Sequence, residues 1–185
     1  MSRIGNARIQ LPQGVTLLQK EGVIVVRGPK GEVTVALVPG IVAKQEQDMV
    51  IVTSKTSEQK AKAGHGLVRA LVANAVLGVT KGWTKTLELS GVGYRVAMTG
   101  TSITLSVGFS HPVVIVPPQG ITFQIVEGKI VVSGIDRQMV GEIAAKIRRV
   151  KEPEPYKGKG IKYVGEVIRK KAGKAAKAVG AGATK

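Results

Sequence analysis

Apolar residues in this chain gather into short runs between turn-forming residues, and only two stretches show a helical stripe. Val23–Arg27 and Glu32–Leu37 are rich in β-branched side chains and flank Gly28-Pro29-Lys30-Gly31, a strong turn sequence. Met49–Thr53 predicts a further strand. Beyond it, Thr56 and Gln59 have the spacing of a capping box, and a helical pattern runs to about Leu77. Gly64 and Gly66 each weaken that helix by about 1 kcal/mol relative to Ala, so close packing or an irregular start is expected there.

The same order then recurs. Tyr94–Met98 and Ser102–Val107 flank a turn at Thr99-Gly100-Thr101, and Val113–Val116 ends at Pro117-Pro118. Ile121–Val126 and Lys129–Val132 predict a hairpin. Asp136 is placed to cap a helix that reaches about Val150, with apolar residues at 139, 140, 143, 144 and 147. The segments VIVTSKTSEQKAKAG (50–64) and IVVSGIDRQMVGEIA (130–144) both read as strand, polar cap, then helix, and duplication of one unit is the economical account. The pattern predicts an α+β fold with two tandem similar domains, each an antiparallel sheet with a helix packed on one face. The expected domains are residues 1–81 and 82–152, with a basic C-terminal extension over 153–185. In that extension a short helix is expected at about Val164–Lys171. The Ala/Gly/Lys tail after it has too little apolar surface to offset its ordering entropy and is expected to be mobile when free.

Composition sharpens the class of partner. Aromatics make up only 3% of 185 residues, so Val, Ile, Leu and Ala must build the core. The formal charge is +16, against about 2 to 8 in magnitude for an ordinary small domain, and the excess calls for a polyanion. Half of it lies between Lys157 and Lys185, where nine Lys or Arg face Glu166 alone. An acidic membrane would need a large apolar moment beside the charge, and this end offers mostly Ala and Gly. The first residues lack the apolar core of a signal peptide, and no apolar run approaches the ~20 residues of a membrane helix; a cytoplasmic protein is expected. With no cysteine, thiol nucleophiles and thiolate metal sites are excluded.

Catalytic chemistry finds little support. The only histidines are His65 and His111, and the only aspartates Asp48 and Asp136. His65, between two glycines, suits a structural or contact role. His111 lies in a loop where its ring can face solvent or RNA. GPKG resembles a phosphate cradle but joins two strands and precedes no helix, so a hairpin turn is the better reading. Neither hydrolase nor metal-ligand spacing occurs, and no enzyme, cofactor, metal or small-molecule substrate is expected.

Binding chemistry concentrates in PEPYKGKGIKY, residues 153–163. Its prolines deny it a regular helix, and its glycines let the backbone bend and approach a partner. Lys157, Lys159 and Lys162 can neutralise phosphates, while Tyr156 and Tyr163 can stack on bases or sugars. Arg169, Lys170, Lys171, Lys174 and Lys177 continue the charge. A solvated charge run is the bland alternative, and the interleaved glycine, proline and tyrosine favour RNA over it.

Several segments, in order, resemble bacterial ribosomal large-subunit protein six. They are SRIG (2–5), P-x-G-V (12–15), RGPKGE (27–32), HGLVRALVANAVLGVTKGW (65–83) and LELSGVGYRV (87–96). SHPV (110–113), SGIDRQMVGEIAAKIR (133–148) and PEPYKGKGIKY complete the set, the last being the most specific. Asn6-Ala7, Phe109 and Lys162 depart mildly from the family's pattern, as does the tail after Gly173. The resemblance implies two similar domains and binding to large-subunit (23S) rRNA near the factor-binding region, beside the sarcin–ricin loop and the stalk base, with neighbouring large-subunit proteins as further partners. It assigns RNA contacts to Tyr156, Lys157, Gly158, Lys159, Gly160 and Lys162, and secondarily to Arg95 and His111. The rival reading is a non-ribosomal RNA-binding module or RNA chaperone, with the same basic patch.

Overall fold

The structure, a computed structural model, describes residues 3–55 and 59–173. Thr56 of the expected capping box, Lys174, Lys177 and the rest of the Ala/Gly/Lys tail lie outside the described residues. The chain divides into two compact units.

Residues 3–55, 59–83 and 133–140 make up the described part of the first unit. Its elements are β1 (Ile9–Gln10), β2 (Thr16–Lys20), β3 (Val23–Gly28), β4 (Gly31–Ala36), β5 (Ile41–Glu46), β6 (Met49–Ser54) and α1 (Gln59–Thr80). Strands β2, β3 and β4 form an antiparallel meander, and a second antiparallel sheet has the order β1-β6-β5. Helix α1 lies against β3, β4, β5 and β6. It buries Val68, Val72, Ala75, Val76 and Val79 at the three-and-four spacing of one helix face. Residues 61–80 are, by length and a mean hydropathy of 1.2, long and apolar enough to cross a membrane, which corrects the expectation that no such run exists. The sheets consume that apolar face, so it serves as a core helix.

The GPKG turn is indeed a hairpin, with Gly28 opposite Gly31, and the Lys30 amide donates to Val79 O at 3.0 Å. A Cβ on Gly28 would lie 2.6 Å from Val79 Cγ2, so the turn seats directly on the end of α1. Gly64 packs similarly against Val38, 3.1 Å from where its Cβ would be, which accounts for a glycine inside the helix. His65 is 2% exposed, and its Nε2 donates to Val52 O at 2.7 Å, a structural role. The expected cut near Lys81-Gly82 leaves 133–140 in the second domain. Ile135, however, packs against the first unit's core.

The second unit comprises, among described residues, 84–132 and 141–173. The elements from Trp83 onward are β7 (Trp83–Ser90), β8 (Arg95–Thr99), β9 (Ser102–Ser106), β10 (Val113–Ile115), β11 (Ile121–Val126), β12 (Lys129–Gly134), α2 (Arg137–Val150) and β13 (Gly160–Tyr163). The meander β8-β9-β10 repeats β2-β3-β4, and β7-β12-β11 repeats β1-β6-β5. The predicted cap is present: Asp136 Oδ1 accepts from Gln138 N at 2.8 Å. Helix α2 buries Val140, Ala144 and Ile147.

The sequence pattern missed strands β1, β2, β5, β7 and β13. β2 has no fully buried residue, and β5 is apolar only over its first three positions, so neither shows an alternating stripe. The short helix expected at 164–171 is absent. Gly165 turns at φ +83 and the Val164 amide donates back to Thr86 O at 3.0 Å. Lys171 N then donates to Pro155 O at 2.8 Å. Pairing with other segments thus displaces the local helical preference.

Candidate nucleic-acid interface

Strand β13 carries the last four residues of the PEPYKGKGIKY stretch into the sheet. It pairs antiparallel with β7, setting Ile161 opposite Leu89 and Lys162 opposite Glu88. Ile161 is fully buried, and Lys162 Nζ sits 2.8 Å from Glu88 Oε1. Gly160 has φ +147, and a Cβ there would lie 2.5 Å from Pro153 Cα and 2.6 Å from Pro153 N. Only glycine fits, because the crowding atoms are backbone and cannot rotate away. Gly160 is therefore buried, and its close approach is to Pro153 rather than to an outside partner.

Ahead of this strand the chain closes a small loop. Glu154 N donates to Lys159 O at 2.9 Å and Gly158 N to Glu154 O at 3.1 Å, while Ile161 N donates to Lys151 O at 2.8 Å. These bonds fix the loop's ends, and its tip exposes Tyr156 (57%), Lys157 and Lys159. Gly158, at φ +74, has open space where a Cβ would sit. Tyr156, Lys157 and Lys159 line a shallow groove with Tyr94, Lys151 and the two carboxylates Glu152 and Glu154.

The groove continues toward His111. Lys151 Nζ lies 5.0 Å from the Phe109 ring centroid. The Phe109 and His111 rings stack at 6.2 Å with 18° between their planes. Two segments distant in sequence, 109–111 and 151–159, thereby form one aromatic and cationic strip. Sequence reasoning missed Tyr94 and Lys151 as members. Their alternation with PEPYKGKG exists only in space, although a tyrosine between Gly93 and Arg95 was a usable signal.

Other expected contacts are occupied within the protein. Tyr163 is half-buried, with Lys85 Nζ 5.8 Å and Arg148 Cζ 6.0 Å from its ring centroid. Glu166 accepts from Arg148 Nε at 3.1 Å and Nη2 at 2.6 Å, and from the Tyr163 amide at 3.0 Å. The two-pronged Arg148 hydrogen bond holds the Glu166 carboxyl below its ordinary pKa and raises that of Arg148, against a smaller opposing effect of burial. The one acidic residue of the basic end thus fastens it to α2. Arg169, Lys170 and Lys171 are exposed beyond that fastening, and Arg95 is exposed at the start of β8, outside the residues that line the groove. Among the described residues, no three His, Cys, Asp or Glu side chains cluster where a metal could bind.

Comparison with known proteins gives a consistent answer. The profile of the family described as "Ribosomal protein L6" matches residues 11–82 and again 90–164, in keeping with the repeated fold. The large ribosomal subunit protein uL6 of Symbiobacterium thermophilum is 52% identical over 178 residues, covering 96% of this chain and 100% of that protein. The protein of the same name from Deinococcus deserti is 49% identical over 183 residues, covering 98% and 99%. That of Syntrophomonas wolfei is 52% identical over 176 residues, covering 95% and 98%. On a repeated match and half-identity along nearly its full length, the chain belongs to the ribosomal protein L6 family.

Proposed function

We propose that the chain is a structural, non-catalytic constituent of the large ribosomal subunit that holds rRNA on the face built from the 154–159 loop. The carrying observation is the anchoring of that loop. Backbone bonds and strand β13 fix its ends, while Tyr156, Lys157 and Lys159 stand exposed on it. A pre-ordered presentation lowers the entropy lost on binding, and lysines beside aromatic rings suit a phosphate backbone with accessible bases. Membership of a family whose relatives are large-subunit proteins supports the ribosomal setting. The resemblance supports the finer address: 23S rRNA near the sarcin–ricin loop and stalk base, with neighbouring large-subunit proteins, in the cytoplasm.

Sedimentation of a cell lysate tests the setting. The chain should travel with the large subunit at one copy per particle, and its recovery only in lighter fractions would overturn the reading. Crosslinking from position 156 tests the address. Crosslinks should fall in the sarcin–ricin region, and a map confined to other rRNA domains would refute that part alone.

A further inference from the structure

Three lysines and two tyrosines would suffice for a groove that merely follows phosphates. The groove also contains carboxylates, which repel phosphates and need another explanation. Glu152 is 64% exposed and lies 4.0 Å from Arg148 Nη1, which accounts for it as a surface charge. Glu154 differs. It is half-buried, it lines the groove among Lys151, Lys157 and Lys159, and its side chain has no hydrogen bond or ion pair among the described residues. Its backbone is held on both sides by bonds to Lys159 and Gly158, so the side chain is presented from a fixed position.

A carboxylate is acceptor-only, with two oxygens side by side. Among the nucleobases only guanine presents two adjacent N–H donors on its Watson–Crick edge, the ring N1–H and the exocyclic N2–H2. Adenine and cytosine present a donor beside an acceptor, and uracil a donor between two acceptors. In a duplex that edge is used up by pairing, so a guanine able to meet Glu154 must be unpaired. Unpaired bases are also the ones that stack on aromatic side chains, and Tyr94 and Tyr156 line the same groove. The lysines around it suit the flanking phosphates.

We propose that this groove takes one unpaired guanine of the RNA. Glu154 accepts from N1–H and N2–H2, a tyrosine ring stacks on the base, and Lys151, Lys157 and Lys159 meet the adjoining phosphates. The proposal rests on the RNA-binding reading above and adds a base preference to it.

Two RNA hairpins that differ only in a single bulged nucleotide, G or A, test it by titration of the full-length protein. The G hairpin should bind about ten-fold more tightly, the scale of one two-pronged base contact. Inosine in the bulge, which lacks only the 2-amino group, should lose most of that preference. Glu154→Gln, which offers an amide donor where the carboxylate accepted, should bring the G and A hairpins to equal affinity. Equal affinity for G and A with the unaltered protein, no binding to either hairpin, or a G preference that survives Glu154→Gln would each overturn the proposal. None of these outcomes touches the ribosomal reading, which falls only if the chain is missing from large subunits.

Discussion

The two repeats share a strand plan and differ at one sheet edge. In the first, β1 is a strand of two residues and forms the edge of β1-β6-β5. In the second, the equivalent strand β7 is eight residues long and carries β13 on its other side. An open strand edge is a row of unpaired amides and carbonyls, a hazard that proteins shorten or cover. The first unit uses the short solution. The second covers its edge with a segment from the basic end, and so fastens the candidate RNA-binding loop to the sheet. A duplicated scaffold thus acquires a candidate binding surface through one added strand.

The largest expected effect comes from two glycines on either side of Lys159. Gly160→Val drives a side chain into the Pro153 backbone at φ +147 and should cost roughly 4 kcal/mol, as strain and overpacking add. Gly158→Val meets open space at φ +74 and should cost about 1 kcal/mol of backbone strain while weakening RNA binding. Chemical denaturation of both variants checks this, and equal losses would mean that β13 is not held against Pro153.

Ile161→Ala in β13 and Ile9→Ala in β1 make the matched pair between repeats. Both side chains are buried, and each truncation should cost about 3 kcal/mol. Only Ile161→Ala should also weaken RNA binding, because only β13 carries the loop. If both variants lose affinity equally, the added strand has no special part in recognition.

Glu166→Gln removes the charge that fastens the basic end to Arg148 and should cost about 1 kcal/mol near neutral pH. The sign with pH follows from the lowered pKa of Glu166. Its contribution is complete above the ordinary carboxylate pKa of about 4.3 and is lost as pH falls through the lower folded-state value. Stability curves of the parent and the variant should therefore converge toward acid, and a constant gap would exclude the ionised carboxylate as the cause.

The smallest effect separates exposed from paired lysines. Lys157→Ala should reduce the slope of log K against log salt by about 0.9, one phosphate contact. Lys162→Ala should change it much less, since Lys162 already faces Glu88. Identical slopes for the two variants would show that the ion pair opens on RNA.

The hairpin turns, the two helices and the Asp136 cap were legible because each depends on neighbours in sequence: proline and glycine at a turn, a three-and-four apolar spacing, an oxygen two residues before an amide. Charge and residue type likewise pointed to 153–163. Strand β13 was hidden because GIKY is a strand only beside the free edge of β7. The helix expected at 164–171 failed for a related reason, since its amides and the Glu166 carboxylate found partners elsewhere in the fold.

The sequence by itself determined the repeated α+β plan, the basic character and the family, all carried by local patterns and the order of motifs. Tertiary structure decided which residues of PEPYKGKGIKY face outward. Pairing with β7 turned Gly160, Ile161 and Lys162 toward the protein, and left Tyr156, Lys157 and Lys159 beside Tyr94, Lys151 and Glu154. That sorting depends on long-range hydrogen bonds and packing, which no spacing along the chain can encode alone.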